Sequence, residues 1–317
     1  MSNSLKRDFI ELRHFDTYNI AAIADGVVSN QFVYLRNLEE IFGDQGILGF
    51  VKPFKKRSAL HLFLEEIILR IFDEDFTGEI NLGTSATQVG VLPIEIAFEK
   101  HGIDYETFDQ FRERTGLPPL SGDYVRALMR IQASTASDDD HRFADLPNEY
   151  SDYWEELTIT SALDRLLQQM AEEVFFILFI NREFLENFNR MMAVYVSDVD
   201  FPELPSHGDR YLLCHFRNEG GRLRRKPIPS WVRRAVEFRD RGLCTYCQKD
   251  LSSLRSPLNM SNFDHIVPLS LGGLNDVSNI QLLCQACNLE KSDRPARTGK
   301  YYQRWFPREH DDESSWQ

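Results

Sequence analysis

Cysteine and long apolar runs are both scarce in this chain. Only five of its 317 residues are cysteines, and four of these form two Cys-x-x-Cys pairs. This usage excludes a disulfide-rich secreted scaffold and favours a reducing compartment. The longest apolar run, VFFILFI at 174–180, is too short to cross a bilayer, and MSNSLKRDFIELRHF at 1–15 lacks the apolar core of a signal peptide. We therefore expect a cytoplasmic protein that does not bind membranes.

A phosphate-binding loop is also lacking, and the charge is unevenly distributed. GEINLGTSATQVGV at 78–91 contains glycines but no Gly-Lys-Ser/Thr, so we do not expect nucleotide binding. Residues 1–205 hold 18 Lys and Arg against 36 Asp and Glu, net −18, whereas residues 206–317 hold 18 against 13, net +5. The chain total is −13. Phosphate binding depends on the local field, which favours the second part.

The pattern of apolar residues predicts helices through most of the first part. Helical periodicity covers 58–72, 92–102, 105–116, 122–134 and 153–196, with Ser58 and Asp123 as helix starts and Gly102 and Gly116 as stops. Residues 20–30 and 31–38 are expected to form short strands or mixed structure, and 134–150 an exposed loop. A Pro-rich run at 202–209 is the predicted linker. The sequence thus predicts an α+β protein with an α-rich, acidic domain at 1–205 and a small second domain at 206–317.

The two Cys-x-x-Cys pairs, Cys244 with Cys247 and Cys284 with Cys287, have the spacing of metal-binding knuckles. Four thiolates suit a tetrahedral zinc in a closed structural site. The gap between the pairs is longer than in a simple zinc ribbon and leaves room for a hairpin. Disulfide-linked hairpins and chance spacing are the alternatives. The fifth cysteine, Cys214, is expected to be a small buried residue.

Three polar residues of another kind lie between these pairs and just after the second. Asp264 and Asn288 offer oxygen ligands for a hard cation, and His265 offers a base that can be neutral near pH 7. One carboxylate and one amide make a thin ligand set, so Mg²⁺ or Mn²⁺ here would also need water and substrate phosphate. A base and a hard cation form a minimal set for phosphodiester hydrolysis. A buried, hydrogen-bonded core histidine is the alternative interpretation of His265.

Residues 230–293 resemble an HNH endonuclease domain of the zinc-knuckle type. The matching segments are RRAVEFRDRGLCTYC, DHIVPLSLGGLNDVSNIQLLC and CQACNLEKSD. The resemblance implies a ββα-metal unit held by structural zinc. For catalysis it implies His265 as the general base and Asn279 as the residue that braces the loop between the two strands. It assigns the catalytic divalent metal to Asp264 and Asn288, and the third letter of the motif is thus Asn rather than His.

Basic residues gather around the predicted helix at 230–241. Arg222, Arg224, Arg225 and Lys226 precede it, and it carries Arg233, Arg234, Arg239 and Arg241. We expect these residues to line a DNA backbone track. A solvated helix face beside a charged linker is the alternative. The candidate nucleic-acid contacts are Arg224, Arg225, Lys226, Arg233, Arg234 and Lys291.

The expected function is metal-dependent hydrolysis of DNA by a bacterial defence or restriction-type endonuclease. The acidic domain at 1–205 is expected to control the nuclease or to bind a protein partner or a second copy. A non-catalytic zinc-dependent DNA-binding protein is one alternative, which the joint presence of Asp264, His265 and Asn288 disfavours. A homing-type or toxin nuclease acting alone is the other, which the acidic first part disfavours because like charge repels DNA.

Overall fold

The structure is a computed structural model that describes residues 17–43, 46–77, 80–81, 92–116, 143–144, 148–199, 212–217, 221–252 and 261–291. The chain divides into two compact units. The helical unit comprises Met1–Phe50 and Lys55–Phe179, and the hairpin unit comprises Val51–Phe54 and Ile180–Gln317. The predicted helix at 122–134, most of the loop at 134–150 and the linker at 202–209 lie outside the described residues.

The helical unit is built mainly from helices that pack around two long ones. In chain order they are α1 Thr17–Ser29, α2 Leu35–Phe42, α3 Ala59–Thr77, α4 Pro93–Lys100, α5 Phe108–Arg114, α6 Asn148–Thr158 and α7 Ser161–Phe179. Strands β1 Ile80–Asn81 and β2 Phe143–Ala144 pair antiparallel. α7 packs along α3 and also contacts α1 and α6, because its buried positions recur every three to four residues. None of the described helices is both long and apolar enough to span a bilayer.

Local sequence signals set several of these helix ends. Thr107 and Gln110 form a capping box before α5: the Thr107 hydroxyl accepts from the Gln110 amide at 3.2 Å, and the Gln110 side chain accepts from the Thr107 amide at 2.9 Å. Ser58 directly precedes α3, and its hydroxyl accepts from a first-turn amide at 3.4 Å. Gly102 and Gly116 follow α4 and α5 with φ of 61° and 81°. This left-handed conformation ends a helix where the sequence predicts a stop.

The start of the described chain is helical, so the prediction of short strands or mixed structure at 20–30 is wrong; residues 31–38 are mixed, a turn followed by the start of α2. α1 buries Ile20, Ala21, Ala24, Val27 and Val28, and this spacing of three and four residues fits one helix face. The Ile and Val residues of this segment favour strands, but its buried residues have the spacing of a helix, and a helix forms. The stretch at 153–196 is helical as predicted, although it is interrupted between α6 and α7 and again after α7.

The hairpin unit contains a two-stranded sheet flanked by helices. Its elements are α8 Arg182–Ser197, α9 Ser230–Arg239, β3 Ser261–His265, β4 Ile280–Cys284 and α10 Gln285–Lys291. β3 and β4 pair antiparallel, with Ser261 opposite Cys284 and His265 opposite Ile280. α10 follows β4 directly and contacts both strands, while α9 contacts β4. A mostly helical chain with this small ββα unit confirms the predicted α+β class.

The boundary between the two units falls between Phe179 and Ile180, whereas the sequence places the domain boundary at 205. The difference is α8, which belongs to the hairpin unit because it packs on the 3₁₀ turn Val277–Asn279 that precedes β4. Residues 51–54 also join this unit, where the Phe54 amide donates to the Asn275 carbonyl at 2.8 Å. The role of residues 1–205 as a regulatory domain stays a prediction.

Candidate metal centre and active site

The first cysteine pair lies on a turn after α9, and the second lies where β4 meets α10. The turn that holds Cys244 and Cys247 is closed by the Gln248 amide, which donates to the Cys244 carbonyl at 2.9 Å. Cys284 ends β4, and the Cys287 amide in the first turn of α10 donates to the Cys284 sulfur at 3.5 Å. Because β4 is buried along its whole length, the second pair is fixed relative to the hairpin.

Thr245 docks the first pair onto β4. Its amide donates to the Leu282 carbonyl at 2.9 Å, and its hydroxyl donates to the Gln281 side-chain oxygen at 3.1 Å. The four Sγ atoms consequently lie within 4.8 Å of one another, with those of Cys247 and Cys284 3.7 Å apart. Tetrahedral zinc with Zn–S bonds of about 2.3 Å holds its sulfurs about 3.8 Å apart. The cluster therefore has the size of a structural zinc site.

Burial makes two of the four thiols poorer acids, whereas hydrogen bonds from backbone amides lower the pKa of Cys244. Burial and the neighbouring thiols raise the pKa of Cys287, and burial raises the pKa of Cys247. Four thiolates in this space need a cation to offset their repulsion and desolvation, so the all-sulfur donor set fits zinc. Cys214 lies elsewhere, on the 3₁₀ turn Leu212–His215, and its thiol is exposed. The prediction that Cys214 is buried is wrong.

The loop from β3 to β4 is held by Asn279. Its side-chain amide donates to the carbonyls of Val267 and Leu274 at 3.0 and 2.9 Å, and its side-chain oxygen accepts from the Val267 amide at 2.8 Å. Its backbone carbonyl accepts from the Ile266 amide at 2.6 Å. Asn279 is fully buried, and both polar groups of its side chain bond to the loop, so the side chain positions the loop.

α8 lies directly against the same loop. The Asn189 side-chain amide donates to the Ser278 carbonyl at 3.1 Å, and Ala193 packs on Val267. Gly272 has φ of 85°, and a Cβ there would lie 2.5 Å from the Ala193 carbonyl oxygen. Both the backbone conformation and the close approach of α8 therefore require glycine. The sequence reveals the two neighbouring glycines of this loop but not the helix that covers them.

His265 ends β3 and is only 1% exposed. Among the described residues, neither of its ring nitrogens has a hydrogen-bond partner, although the Asn275 side chain lies close enough to favour the protonated ring. Burial, with a smaller contribution from the Arg225 guanidinium, lowers the pKa of His265 to about 4. The ring is neutral at pH 7 and can accept a proton. Buried polar atoms without protein partners are places where water or substrate groups bind.

Asp264 precedes His265 on β3 and contacts α10. Lys291 Nζ lies 2.7 Å from Asp264 Oδ2, with 2% of the lysine side chain and 18% of the aspartate side chain exposed. A phosphate contact by Lys291 assumes an exposed lysine, whereas this ammonium group is buried and already paired. Asn288 lies three residues before Lys291, so the two share one face of α10. The Asp264 carboxylate thus attracts a cation, and Asn288 shares the α10 face of the lysine that contacts it; oxygen ligands of these types suit a hard divalent metal.

A buried ion network beside β4 is not apparent from the sequence. Asp240 accepts from Arg182 Nε at 3.2 Å, from Arg239 Nε and Nη2 at 2.9 and 3.0 Å, and from the Leu282 amide at 3.0 Å. Arg239 also donates to the Ile280 carbonyl at 2.6 Å. All three charged residues are buried, so Arg239 does not belong to the predicted DNA track. In the sequence, this pairing is indicated only by the position of Asp240 directly after Arg239.

The other predicted nucleic-acid contacts keep at least part of their surface. Arg224, Arg225, Arg233 and Arg234 are exposed, and Lys226 is half-buried. Asn275 holds the 224–226 segment: its side-chain amide donates to the Arg224 carbonyl at 2.9 Å, and its side-chain oxygen accepts from the Lys226 amide at 3.3 Å. Arg225 lies between these two bonds and close enough to His265 to lower its pKa. The positive charge of Arg225 is therefore felt at the candidate base.

Residues 244–294 match the family model for HNH endonucleases. The match begins at the first knuckle cysteine and includes β3, β4 and α10, so it confirms the resemblance found in the sequence. It implies nuclease activity on DNA. The N-terminal half has no family match, and neither the curated proteins nor the solved structures include a match to the chain.

Proposed function

We propose that this protein is a divalent-metal-dependent DNA endonuclease in which His265, Asp264 and Asn288 carry the reaction. The observation that supports it best is the state of His265, a neutral, buried imidazole whose ring nitrogens make no hydrogen bond of normal geometry among the described residues, with the Asn275 side chain near the ring. It is adjacent on β3 to a carboxylate that contacts α10. A core histidine with a purely structural role would have its ring nitrogens hydrogen-bonded.

His265 is the proposed general base. Hydrolysis of a phosphodiester requires the attacking water to lose a proton, and a neutral imidazole accepts one. The low pKa of about 4 describes the ring without substrate. A DNA phosphate beside it adds negative charge, which favours the imidazolium that forms during attack. Asn279 holds the adjoining loop, so it acts as a positioning residue for this base.

Asp264 and Asn288 are the proposed ligands of Mg²⁺ or Mn²⁺. When bound there, a divalent cation neutralises charge on the phosphoryl oxygens. Asp264 supplies the anionic oxygen, and Asn288 is fixed because it directly follows the knuckle ligand Cys287. The cysteine cluster therefore orients the ligand pair without touching the substrate.

Arg225 is proposed to bind the phosphate that is attacked by the water that His265 deprotonates. Its guanidinium is close enough to lower the His265 pKa, and the two Asn275 bonds fix its backbone. Guanidinium groups bind phosphate oxygens in a bidentate manner. Arg224, Lys226, Arg233 and Arg234 are proposed to contact the DNA backbone around it.

The test of the proposed function is His265→Ala and His265→Gln, measured on plasmid DNA with Mg²⁺ or Mn²⁺. Removal of a general base typically lowers the rate by about 10²–10⁴-fold. We expect both variants to lose cleavage at this scale and to keep zinc and DNA binding. Glutamine limits the cavity that alanine leaves at this buried position. Cleavage within a few-fold of wild type by a folded Gln variant contradicts the assignment of His265.

The cellular role we propose is a bacterial defence or restriction-type effector acting in the cytoplasm. Support comes from the net charge of −18 in residues 1–205 against +5 in 206–317. An acidic domain of this kind suits a role in inhibiting the nuclease or directing it to its target. Activation by a protein partner or by self-association is expected in this scheme. Plasmid cleavage by the purified chain alone, without any partner, contradicts that control and favours a nuclease acting alone.

A non-catalytic zinc-dependent DNA-binding protein is the second candidate. The pairing of Lys291 with Asp264 favours it, since the ammonium group occupies one carboxylate oxygen. The two candidates differ in one measurement. A zinc-loaded chain that binds DNA but never cuts it with Mn²⁺, with or without a partner, supports the binding protein.

A further inference from the structure

The exposed side of α9 carries an aromatic ring, with one exposed arginine before it on the helix and another just after the helix ends. Phe238 is 88% exposed, and Arg234 lies four residues before it on the same helix face. Arg241 lies three residues after it, and both arginines are exposed. Within the described part of the chain, neither arginine has an acidic partner. Val232 and Val236 bury the opposite side of the helix, so this stripe is not needed to hold α9 in place.

Arg241 occupies a backbone position that glycine adopts more easily. Its φ is 54°, in the left-handed region where a Cβ meets the neighbouring carbonyl. Gly242, the next residue, also has a positive φ of 66°. Non-glycine residues in this region tend to occur at functional sites. An exposed guanidinium is thus retained where a glycine would be less strained.

The end of α9 lies at the level of His265 in the hairpin sheet. Arg239, next to Phe238, donates to the Ile280 carbonyl at 2.6 Å. Ile280 is the pairing partner of His265 across β3 and β4. The stripe Arg234, Phe238 and Arg241 thus belongs to the exposed side of a segment whose buried Arg239 contacts β4 opposite His265.

We propose that this stripe is a DNA-docking surface in which Phe238 inserts between bases while Arg234 and Arg241 bind phosphates on either side. The inference rests on the proposed function, since it takes DNA as the ligand. Guanidinium groups complement a polyanion, and apolar rings are used as wedges between base steps. The net charge of +5 over residues 206–317 favours DNA over an uncharged protein surface as the occupant.

The first test is Phe238→Ala in the full chain carrying His265→Ala. Binding to a labelled duplex is measured by fluorescence anisotropy without chelator, because a chelator would remove zinc. Loss of aromatic stacking on a base raises Kd by about 5- to 100-fold. Phe32→Ala is the matched control: this phenylalanine is 95% exposed, and Arg36, four residues later, pairs with Glu40 at 3.2 Å. We expect the control to bind as the parent does.

The second test separates phosphate contact from stability. Arg241→Gly relieves the left-handed strain, so we expect a higher melting temperature together with weaker DNA binding. The slope of log K against log salt should fall in magnitude by about one. Arg241→Lys keeps both the charge and the strain and serves as the control. Phe238→Ala should leave the salt slope unchanged because it removes no charge.

Unchanged DNA affinity in Phe238→Ala overturns the inference. If self-association is lost at the same time, Phe238 is a contact between copies of this chain. The proposed function fails separately. If the wild-type chain never cuts DNA with Mg²⁺ or Mn²⁺, with or without a partner, but Phe238→Ala still weakens duplex binding, the docking surface stands and the nuclease assignment falls. If the wild type cuts and the variant binds normally, only the docking surface is wrong.

Discussion

At the scale of single residues, the Lys291–Asp264 ion pair sets the charge around the proposed divalent metal. Lys291→Met removes the ammonium group but keeps most of the buried stem. The carboxylate then loses its cation in a site where 18% of its side chain is exposed. In zinc-loaded protein without added Mg²⁺ or Mn²⁺, we expect the free energy of unfolding to fall by about 1–3 kcal/mol. Added Mn²⁺ should stabilise the variant more than the wild type, as measured by thermal unfolding.

The matched control for this experiment is Lys291→Arg, which keeps a cation near Asp264 and should respond to Mn²⁺ as the wild type does. The prediction is contradicted if Lys291→Met melts like the wild type both with and without Mn²⁺. Lost zinc in the variant would instead show damage to the neighbouring knuckle, so zinc content is measured in parallel.

The residue types of the site were predictable because their chemistry appears in local spacing. Two cysteine pairs, an Asp-His pair and an Asn after the last cysteine define the donors without reference to the fold. Burial was not predictable in this way. Lys291 is covered because it reaches Asp264, 27 residues earlier, and Arg239 is covered because it meets Ile280, 41 residues later. Distant partners of this kind leave no trace in the periodicity of a short segment.

At the scale of elements, zinc bound by the four cysteines would hold the hairpin and α10 together. Cys284→Ser removes one sulfur from the cluster, and structural zinc in small domains is worth on the order of 10 kcal/mol or more. We expect the variant to lose zinc and to unfold in the hairpin unit. Cys214→Ser is the matched control, since this exposed thiol lies outside the cluster. Metal analysis together with circular dichroism measures both effects.

Zinc bound equally by Cys284→Ser and the wild type contradicts this arrangement, as does a clean, folded wild-type chain without zinc. Loss of zinc from Cys214→Ser contradicts the assignment of the fifth cysteine. One zinc per chain is the expected stoichiometry of the wild type, because the cluster supplies four ligands.

The junction of α8, α9 and β4 depends on the buried carboxylate of Asp240. Asp240→Asn leaves the guanidiniums of Arg182 and Arg239 without their anion, at a cost of about 3–5 kcal/mol. Arg182→Met should cost less, because Arg239 still pairs with Asp240 at 2.9 Å. In urea unfolding, we expect the free energy of unfolding to be lowest for Asp240→Asn, higher for Arg182→Met and highest for the wild type. The reverse order would show that Arg182 supplies the main counter-charge.

Helices were predictable where apolar spacing and caps agreed, as in α3, α4 and α5. The grouping of α8 with the hairpin unit was not, since its amphipathic pattern continues that of α7 along the chain. What separates the two helices is their partners: α7 packs on α3, whereas Asn189 of α8 donates to Ser278. Periodicity identifies the buried face of a helix but not the element that covers it.

At the scale of the whole molecule, the acidic first part should weaken DNA binding through its field. Glu39, Glu155 and Glu172 are exposed. Their replacement by Gln changes the net charge from −13 to −10, three charges fewer. We expect tighter duplex binding at low salt, with the gain disappearing as the Debye length shortens toward about 8 Å. Fluorescence anisotropy over a salt series measures it.

The matched control replaces the same three residues by Asp, which keeps the charge and should bind as the wild type does. Weaker binding by the Gln variant would mean that these carboxylates support contact with DNA, and the restraining role of residues 1–205 would then be dropped. The same assay with the His265→Ala change avoids cleavage during the measurement.

Asp240 joins residues that are made at different times. Arg182 precedes it by 58 positions, and Leu282 follows it by 42. At a synthesis rate of about 5–20 residues per second, α8 waits roughly 5–20 s for β4. The last knuckle ligand and Asn288 emerge after β4 on the growing chain. Under the proposed function, a chain that ends before Asn288 lacks a metal ligand and cannot nick the DNA of the cell that produces it.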